Sequence, residues 1–418
     1  MSPTFKALSV HNYRLYISGS LVSNIGTWMQ RVAQDWLVLQ LTGSGGALGI
    51  TTGLQFLPFL LVTPLAGLVA DRYSKRRMRQ FTQASLAVTA GVLGVLAVTG
   101  AVQAWHVYVL AFLFGVGTAF DGPARQAFVV EMVGKDFLPN AVALNSATFN
   151  LGRIAGPGLA GLLIAAFGSG VGATGNVILL NAVSYIAVIW SLQAMRSGEL
   201  NTPEPVKRAK HAVREGIRYV RSTPDLVFIF VVALFAGTFG LNFQMTTALM
   251  ATSAFHKGAG EYGVLGSVMA IGSLAGALLA ARRGYPRRLL LVVAGGSFAV
   301  AEIAAGMMPS YLVFAIWLPV VGITSMTMLN ALMAVVQLSV PAALRGRVVA
   351  LYMMVLMGGK PFGAPILGWV GEAFGARWTL IGGGAATLAA VVFATWWLVR
   401  AEHIDVHDVT VRTAKVAA

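Results

Sequence analysis

Four residues that could carry charge-dependent chemistry recur at helical spacing near the start of the chain. They are Asn24, Trp28, Arg31 and Asp35. Their separations of four, three and four positions place them on one face of a helix. Arg31 and Asp35 are one turn apart and can pair. Burial disfavours the ionised carboxylate while the neighbouring guanidinium favours it, so Asp35 is a candidate for proton uptake and release. A structural ion pair between helices is the alternative.

Further polar residues interrupt apolar stretches later in the chain. They are Asn150, Arg153, Asn242, Gln244, Glu302, Thr327, Asn330 and Lys360. Polar groups inside a membrane are costly, and they usually face a cavity or pair with one another. Arg153 and Lys360 favour anions or attract Asp35, and a structural role for each stays open.

We divide these residues by role. Proton coupling is assigned to Asp35, Arg31 and Arg153, and Glu302 is the second candidate for the coupling acid. The expected lining of a substrate cavity is Asn24, Trp28, Asn150, Asn242, Gln244, Thr327, Asn330 and Lys360.

The composition indicates the elements that position these residues. The chain has 418 residues, of which 57% are hydrophobic and 11% charged, and its mean hydropathy is +0.74. Soluble domains are about 25% charged, so a disordered chain is excluded and a soluble enzyme is disfavoured. Twelve membrane helices of about 20 residues each fit this length. The predicted spans are 13–40, 47–70, 80–100, 104–124, 141–167, 174–195, 226–253, 261–282, 288–308, 310–338, 348–374 and 377–399.

The basic residues predict the topology. Of the 30 Lys and Arg residues, 25 lie in the tails, in loops after even-numbered spans or at the ends of the spans that border them. Loops after odd-numbered spans contain only Lys257 and Arg377. By the positive-inside rule both termini are cytoplasmic. The basic residues lie in clusters between apolar runs, so the net charge of +15 does not indicate a nucleic-acid partner.

The two halves of the chain resemble each other. A shift of 207 positions brings Gly152–Gly156 onto Gly359–Gly363 and pairs Arg153 with Lys360. Such a repeat is typical of secondary transporters. The predicted organisation is a six-helix bundle over 1–195, a cytoplasmic linker with an amphipathic helix over 196–225, a second bundle over 226–399 and a cytoplasmic tail over 400–418.

Two motifs resemble signatures of the major facilitator superfamily. Residues 67–77, GLVADRYSKRR, are similar to its loop 2–3 signature, with Ser74 in place of the usual glycine. Residues 152–161, GRIAGPGLAG, resemble the signature of its antiporters. Residues 36–44, WLVLQLTGS, and 122–127, GPARQA, resemble the branch that contains macrolide-efflux pumps and the enterobactin exporter.

The resemblance implies an all-α membrane protein with twelve transmembrane helices in two pseudo-symmetric six-helix bundles. It implies a cytoplasmic gate motif of Gly67, Asp71, Arg72, Lys75 and Arg76, in which Asp71 contacts the start of predicted helix eleven near Val348. It also implies an antiporter motif of Gly152, Gly156, Pro157 and Gly161. Small residues in such a motif let helices approach closely.

The expected function is export of an amphipathic drug, metabolite or siderophore by proton antiport and alternating access. A nutrient-uptake permease on the same fold and a non-transporting scaffold or sensor are the alternatives. No phosphate-binding loop is present, so ATP is not the direct energy source. We expect no cofactor, metal site or enzymatic activity. We expect a monomer in the bacterial plasma (inner) membrane. Its expected partners are a small-molecule substrate, protons and membrane lipids.

Overall fold

A computed structural model describes residues 3–200, 212–282 and 288–402, and these are almost entirely helical. Within these ranges, eleven helical spans are long and apolar enough to cross a membrane. Helix α1 (His11–Thr42) is a further helix of 32 residues. It contains the charged residues Arg14, Arg31 and Asp35. The predicted all-α membrane fold is confirmed.

The chain forms two compact units. Unit 1 comprises Met1–Lys207 and Lys257–Ser267, and unit 2 comprises Arg208–His256 and Val268–Ala418. The helices of unit 1 after α1 are α2 (Gly45–Arg72), α3 (Lys75–Val98), α4 (Ala104–Ala166) and α5 (Val171–Gln193). The bundle boundaries that we predicted from the sequence stay a prediction.

Helix α4 consists of two membrane-spanning arms, Ala104–Gly134 and Asp136–Ala166. The helical backbone is interrupted at Gly134, the last residue of the first arm, whose φ of 66° favours glycine. The predicted end of the first arm at residue 124 and start of the second at 141 were therefore wrong. The helix continues through this charged stretch partly because Glu131 is buried and pairs with Lys75 at 3.3 Å.

Polar contacts close one end of unit 1 around an apolar core. The Tyr13 hydroxyl donates to the Ala141 carbonyl at 2.7 Å. The Asn12 amide exchanges two hydrogen bonds of 2.9 Å with the backbone of Arg196, just beyond α5. The core beneath them contains Tyr16, Phe128, Met132, Val188 and Leu192. These contacts fix the start of α1 against the middle of α4, where its two arms meet, and against the end of α5.

Unit 2 contains nine helices in the described ranges, and the first of them enters from the linker. They are α6 (Ala212–Ser222), α7 (Pro224–Phe235), α8 (Phe243–Leu249), α9 (Ala259–Ala281), α10 (Arg288–Met307), α11 (Tyr311–Ser339), α12 (Ala342–Gly358), α13 (Lys360–Phe374) and α14 (Ala376–Glu402). The opening turns of α9 belong to unit 1 and the rest to unit 2. Single π-helical turns, Ala236–Gly240 and Met250–Ala254, flank α8.

Helix α6 lies in the segment for which we predicted an amphipathic helix, and residues 206–211 of that prediction lie outside the described residues. The Tyr219 hydroxyl donates to the Ser339 carbonyl at 3.0 Å. Glu215 pairs with Arg347. A Cβ at Gly216 would lie 3.0 Å from the Leu351 side chain. Within unit 2, α6 is thus held against α12 by an ion pair and a close backbone approach.

A buried ion pair joins α7 to α10 in unit 2. The Arg288 guanidinium contacts both carboxylate oxygens of Asp225, at 2.8 and 2.9 Å. Both side chains are at most 3% exposed. Because a buried charge is costly without its partner, this two-point contact fixes the adjacent helix ends.

Candidate functional site

The predicted stripe on α1 lies in unit 1, with Asn24, Trp28 and Arg31 half-buried and Asp35 only 6% exposed. Asp35 accepts a hydrogen bond of 3.1 Å from the hydroxyl of Tyr262. Trp36 stacks on the same tyrosine, with ring centroids 6.4 Å apart. The structure therefore gives Asp35 a donor from the segment Lys257–Ser267, which follows it by more than 200 residues.

Arg31 makes a different contact from the one that we predicted. In the described ranges it forms no ion pair with Asp35, and its Nε has no hydrogen-bond partner. Its guanidinium lies 4.8 Å from the centre of the Trp28 ring. The direct pair fails to form because the two side chains diverge, Arg31 toward the indole and Asp35 toward Tyr262.

Arg153 and Asn150 lie on the second arm of α4, close to the stripe. The Arg153 guanidinium is 5.9 Å from the centre of the Trp28 ring. Phe149 meets Trp28 edge to face at 5.7 Å, and the Arg125 guanidinium lies 6.0 Å from the Phe149 ring. The Asn150 amide donates to the Ser146 carbonyl of its own helix at 2.9 Å. Arg125 lies in the motif GPARQA, and we predicted no role for it at the site.

The antiporter motif packs on both of its sides within unit 1. A Cβ at Gly156 would lie 2.5 Å from the Trp28 Cβ, and one at Gly152 would lie 2.8 Å from the Asn24 backbone. Gly161 abuts the backbone of Ala259, and Pro157 abuts Gly263. The motif thus brings α4 against both α1 and the first turns of α9. These are the two elements that supply Asp35 and Tyr262.

The predicted cavity residues of unit 2 lie on α8, α11 and α13, except Asn242, which directly precedes α8. Asn242 is 4% exposed and donates to the Thr238 carbonyl at 2.7 Å. Lys360 begins α13, and Cβ atoms at the flanking Gly359 and Gly363 would collide with Thr238. Thr238 therefore brings the elements of Asn242 and Lys360 together. Gln244, Thr327 and Asn330 lie on α8 and α11, where Thr327 is buried and the other two are half-buried.

Glu302 has an environment that the sequence did not predict. It is 0% exposed, and in the described ranges neither carboxylate oxygen has a hydrogen-bond partner. Cβ atoms at Gly240 and Gly383 would lie 3.0 and 3.1 Å from these oxygens. Two glycines thus make room for a carboxyl group beside a π-helical turn, a feature that is frequent at functional sites.

Only part of the gate motif lies within the residues that the structure describes. The side chains of Asp71 and Arg72 and the surroundings of Gly67 lie outside the described residues. Arg76 donates to the backbone carbonyls of Leu192 and Gln193 at 2.7 and 3.1 Å. With the Lys75–Glu131 pair, these contacts anchor the start of α3 within unit 1.

A further group of polar residues, centred on Asp121, lies near the start of α3 and was not predicted from the sequence. Asp121 is 8% exposed and lies 3.8 Å from the Arg79 guanidinium. It accepts hydrogen bonds from Thr82 at 2.9 Å and Gln83 at 3.0 Å. Thr82 and Gln83 follow Arg79 by three and four positions. This helical spacing could have indicated that the three side chains share one face of α3.

Solved structures define the fold. The chain superimposes with a TM-score of 0.70 on a bacterial homologue of the human lysosomal transporter Spinster, in an inward-facing conformation. The two are 15% identical, and the match covers 96% of this chain and 98% of the other. The fold is that of the major facilitator transporters.

The chain belongs to the transmembrane secretion effector family of that superfamily, MFS_3, whose model matches residues 2–414. It is 29% identical to the multidrug efflux pump Tap of Mycolicibacterium fortuitum, over 88% of this chain and 91% of the relative. It is 22% identical to macrolide efflux protein A of Streptococcus pyogenes, over 90% and 93%. The resemblance that we stated from the motifs is confirmed. The protein is a multi-pass membrane transporter and not an enzyme.

Proposed function

We propose that this transporter exports amphipathic small molecules, such as a drug, metabolite or siderophore, by proton antiport and alternating access. The relatives named above are efflux pumps, which supports the direction of transport. It acts in the bacterial plasma membrane as a monomer with both termini in the cytoplasm. One proton that enters down a potential of 100 mV supplies about 2.3 kcal/mol.

The observation that carries the coupling proposal is the hydrogen bond from Tyr262 to Asp35. The ionised Asp35 carboxylate accepts a charge-assisted hydrogen bond from the Tyr262 hydroxyl. Protonation of Asp35 weakens this hydrogen bond because the negative charge is lost. Tyr262 belongs to a segment of α9 that packs on the antiporter motif. The protonation state of Asp35 therefore biases how firmly this segment is held, which is the requirement for coupling a proton to a conformational change.

Everted membrane vesicles test the proposal. Respiration acidifies their interior, and a pH-sensitive acridine dye reports the gradient. Addition of a transported compound should release protons and restore dye fluorescence only in vesicles that contain this protein. The panel should contain cationic, neutral and anionic amphipathic compounds, so that the result does not depend on substrate charge.

A protonophore should abolish accumulation of the same compound in the vesicles. Accumulation that survives collapse of the gradient would contradict proton antiport. Saturable uptake of a nutrient into intact cells, with no efflux, would favour the permease. Absence of transport for every compound would favour the scaffold or sensor.

A further inference from the structure

Three guanidinium groups converge on two aromatic rings in unit 1. We call this set the arginine–aromatic cluster, and it consists of Arg31, Arg125, Arg153, Trp28 and Phe149. The distances from guanidinium carbon to ring centre are 4.8 and 5.9 Å to Trp28 and 6.0 Å to Phe149. The members come from α1 and from both arms of α4, so packing of separate elements creates the cluster.

Two acids, Asp121 and Asp35, interact electrostatically with Arg125 and Arg31, and both have further partners. Asp121 lies beside Arg79 and accepts hydrogen bonds from Thr82 and Gln83. Asp35 accepts its hydrogen bond from Tyr262. The Nε of Arg31 has no hydrogen-bond partner within the described part of the chain. The cluster thus places three guanidinium groups close together on membrane-spanning helices, where a charge is costly and usually functional.

The side chains of the cluster are not fully buried. Phe149 is 38% exposed, and the other four side chains are half-buried. The two rings meet at an interplanar angle of 71° and present aromatic surface beside the guanidinium groups. An ionised guanidinium binds carboxylate oxygens in a two-point contact, and an aromatic face binds a flat apolar group. The arrangement is complementary to a molecule that carries both.

We propose that the arginine–aromatic cluster is a substrate subsite for an aromatic or flat apolar molecule that bears a carboxylate. The proposal rests on the exporter function above and specifies the substrate class of that transporter. An inside-negative membrane potential favours the outward movement of an anion. An anionic substrate would therefore add its own electrical driving force to that of the proton.

Binding to the purified full-length protein in phosphatidylcholine nanodiscs tests the proposal. The probes are 1-pyrenebutyrate and its uncharged amide, which share the apolar part and differ in charge. We expect the carboxylate to bind at least about tenfold more tightly than the amide, since a charge-assisted hydrogen bond is worth that much. Equal affinities would overturn the proposal.

Substitutions locate the binding. Arg31→Gln, Arg125→Gln and Arg153→Gln should each weaken carboxylate binding about tenfold and leave amide binding within about twofold. Arg→Lys at the same positions retains the charge and should restore part of the affinity, which separates lost binding from misfolding. Trp28→Leu should weaken both probes. The matched control is Arg400→Gln, because Arg400 makes a similar cation–π contact with Trp396, at 4.3 Å, on α14 of unit 2.

Two further experiments distinguish a lipid site from a substrate subsite, and failure of this proposal from failure of the exporter function. Phosphatidylglycerol in the nanodiscs should leave carboxylate affinity unchanged, and competition would show that the subsite holds a lipid headgroup instead. The vesicle assay with cationic and neutral compounds tests the exporter function independently. If those compounds are exported while the carboxylate and amide bind equally, the subsite proposal fails and the exporter proposal stands.

Discussion

Asp35 in unit 1 and Glu302 in unit 2 are both buried acids, but their surroundings differ. Asp35 is 6% exposed and accepts a hydrogen bond from Tyr262, a residue on another helix. Glu302 is 0% exposed and has no hydrogen-bond partner in the described ranges. An unpaired charge in such a place would be expensive, so the neutral carboxyl is the form that this pocket accommodates.

The difference suggests which acid can respond to transport. The contact of Asp35 depends on the packing of the Lys257–Ser267 segment, so a shift of that segment changes what the carboxylate meets. Glu302 lies among side chains and glycines of unit 2, and no polar contact in the described ranges depends on its protonation. We therefore propose that Asp35 rather than Glu302 carries the coupling proton.

The largest effect is expected from Asp35→Asn. Asparagine cannot release a proton, so gradient-driven export should fall to the level of vesicles that lack the protein. Glu302→Gln is the matched control and should retain most of the export. Membrane content of each variant should be checked by immunoblot. Normal export by Asp35→Asn together with loss in Glu302→Gln would reverse the assignment.

Gly263→Ala should have the next largest effect, because the added Cβ would collide with the Pro157 carbonyl. The turn that carries Tyr262 must then shift away from the antiporter motif. Overpacking of this kind costs about 1–3 kcal/mol, so both the unfolding temperature and the export rate should fall. Gly296→Ala on α10 is the control, since a Cβ added there would meet no atom within 4 Å. Equal behaviour of the two variants would show that the close approach is unimportant.

Tyr262→Phe removes only the donor to Asp35 and retains the ring that stacks on Trp36. A hydrogen bond to a charged group is worth about 1.5–3 kcal/mol, so proton-coupled export should slow about tenfold. The control is Tyr352→Phe, because the Tyr352 hydroxyl is buried without a hydrogen-bond partner in the described part of the chain. Its loss should leave export unchanged. The initial rate of substrate-induced proton release measures both, and identical rates would remove Tyr262 from the coupling proposal.

The smallest effect is expected for Glu302→Met, which replaces two unpartnered oxygens by an apolar group. Removal of an unsatisfied polar group is neutral or stabilising. The unfolding temperature of the solubilised protein should therefore stay level or rise slightly. A fall of several degrees would reveal a polar interaction that Glu302 makes in the membrane.

Much of the candidate site could be predicted from spacing within one helix. Asn24, Trp28, Arg31 and Asp35 share a face because the helical period fixes their directions wherever the helix packs. The helical period did not determine whether Arg31 and Asp35 form an ion pair. Arg31 can extend toward Trp28 instead, and only the neighbouring helix shows which contact forms.

The partners of these residues could not be predicted, because they come from distant parts of the chain. Tyr262 lies 227 positions after Asp35, and nothing in its local sequence distinguishes it from other tyrosines in apolar helices. Arg125 contacts Phe149, which lies on the other arm of α4. The end of the first arm of α4 was misplaced because burial of Glu131 against Lys75 lets a charged stretch stay helical.

The sequence by itself determined the helical class, the approximate spans and the family, because apolar runs, basic loops and short motifs are local properties of the chain. Tertiary structure alone decided which charges have partners. It places Asp35 beside a tyrosine donor, leaves Glu302 in a pocket next to two glycines and gathers three arginines around two rings. The physical reason is that small residues such as Gly156 and Gly263 set how closely helices approach, and that approach determines which side chains meet.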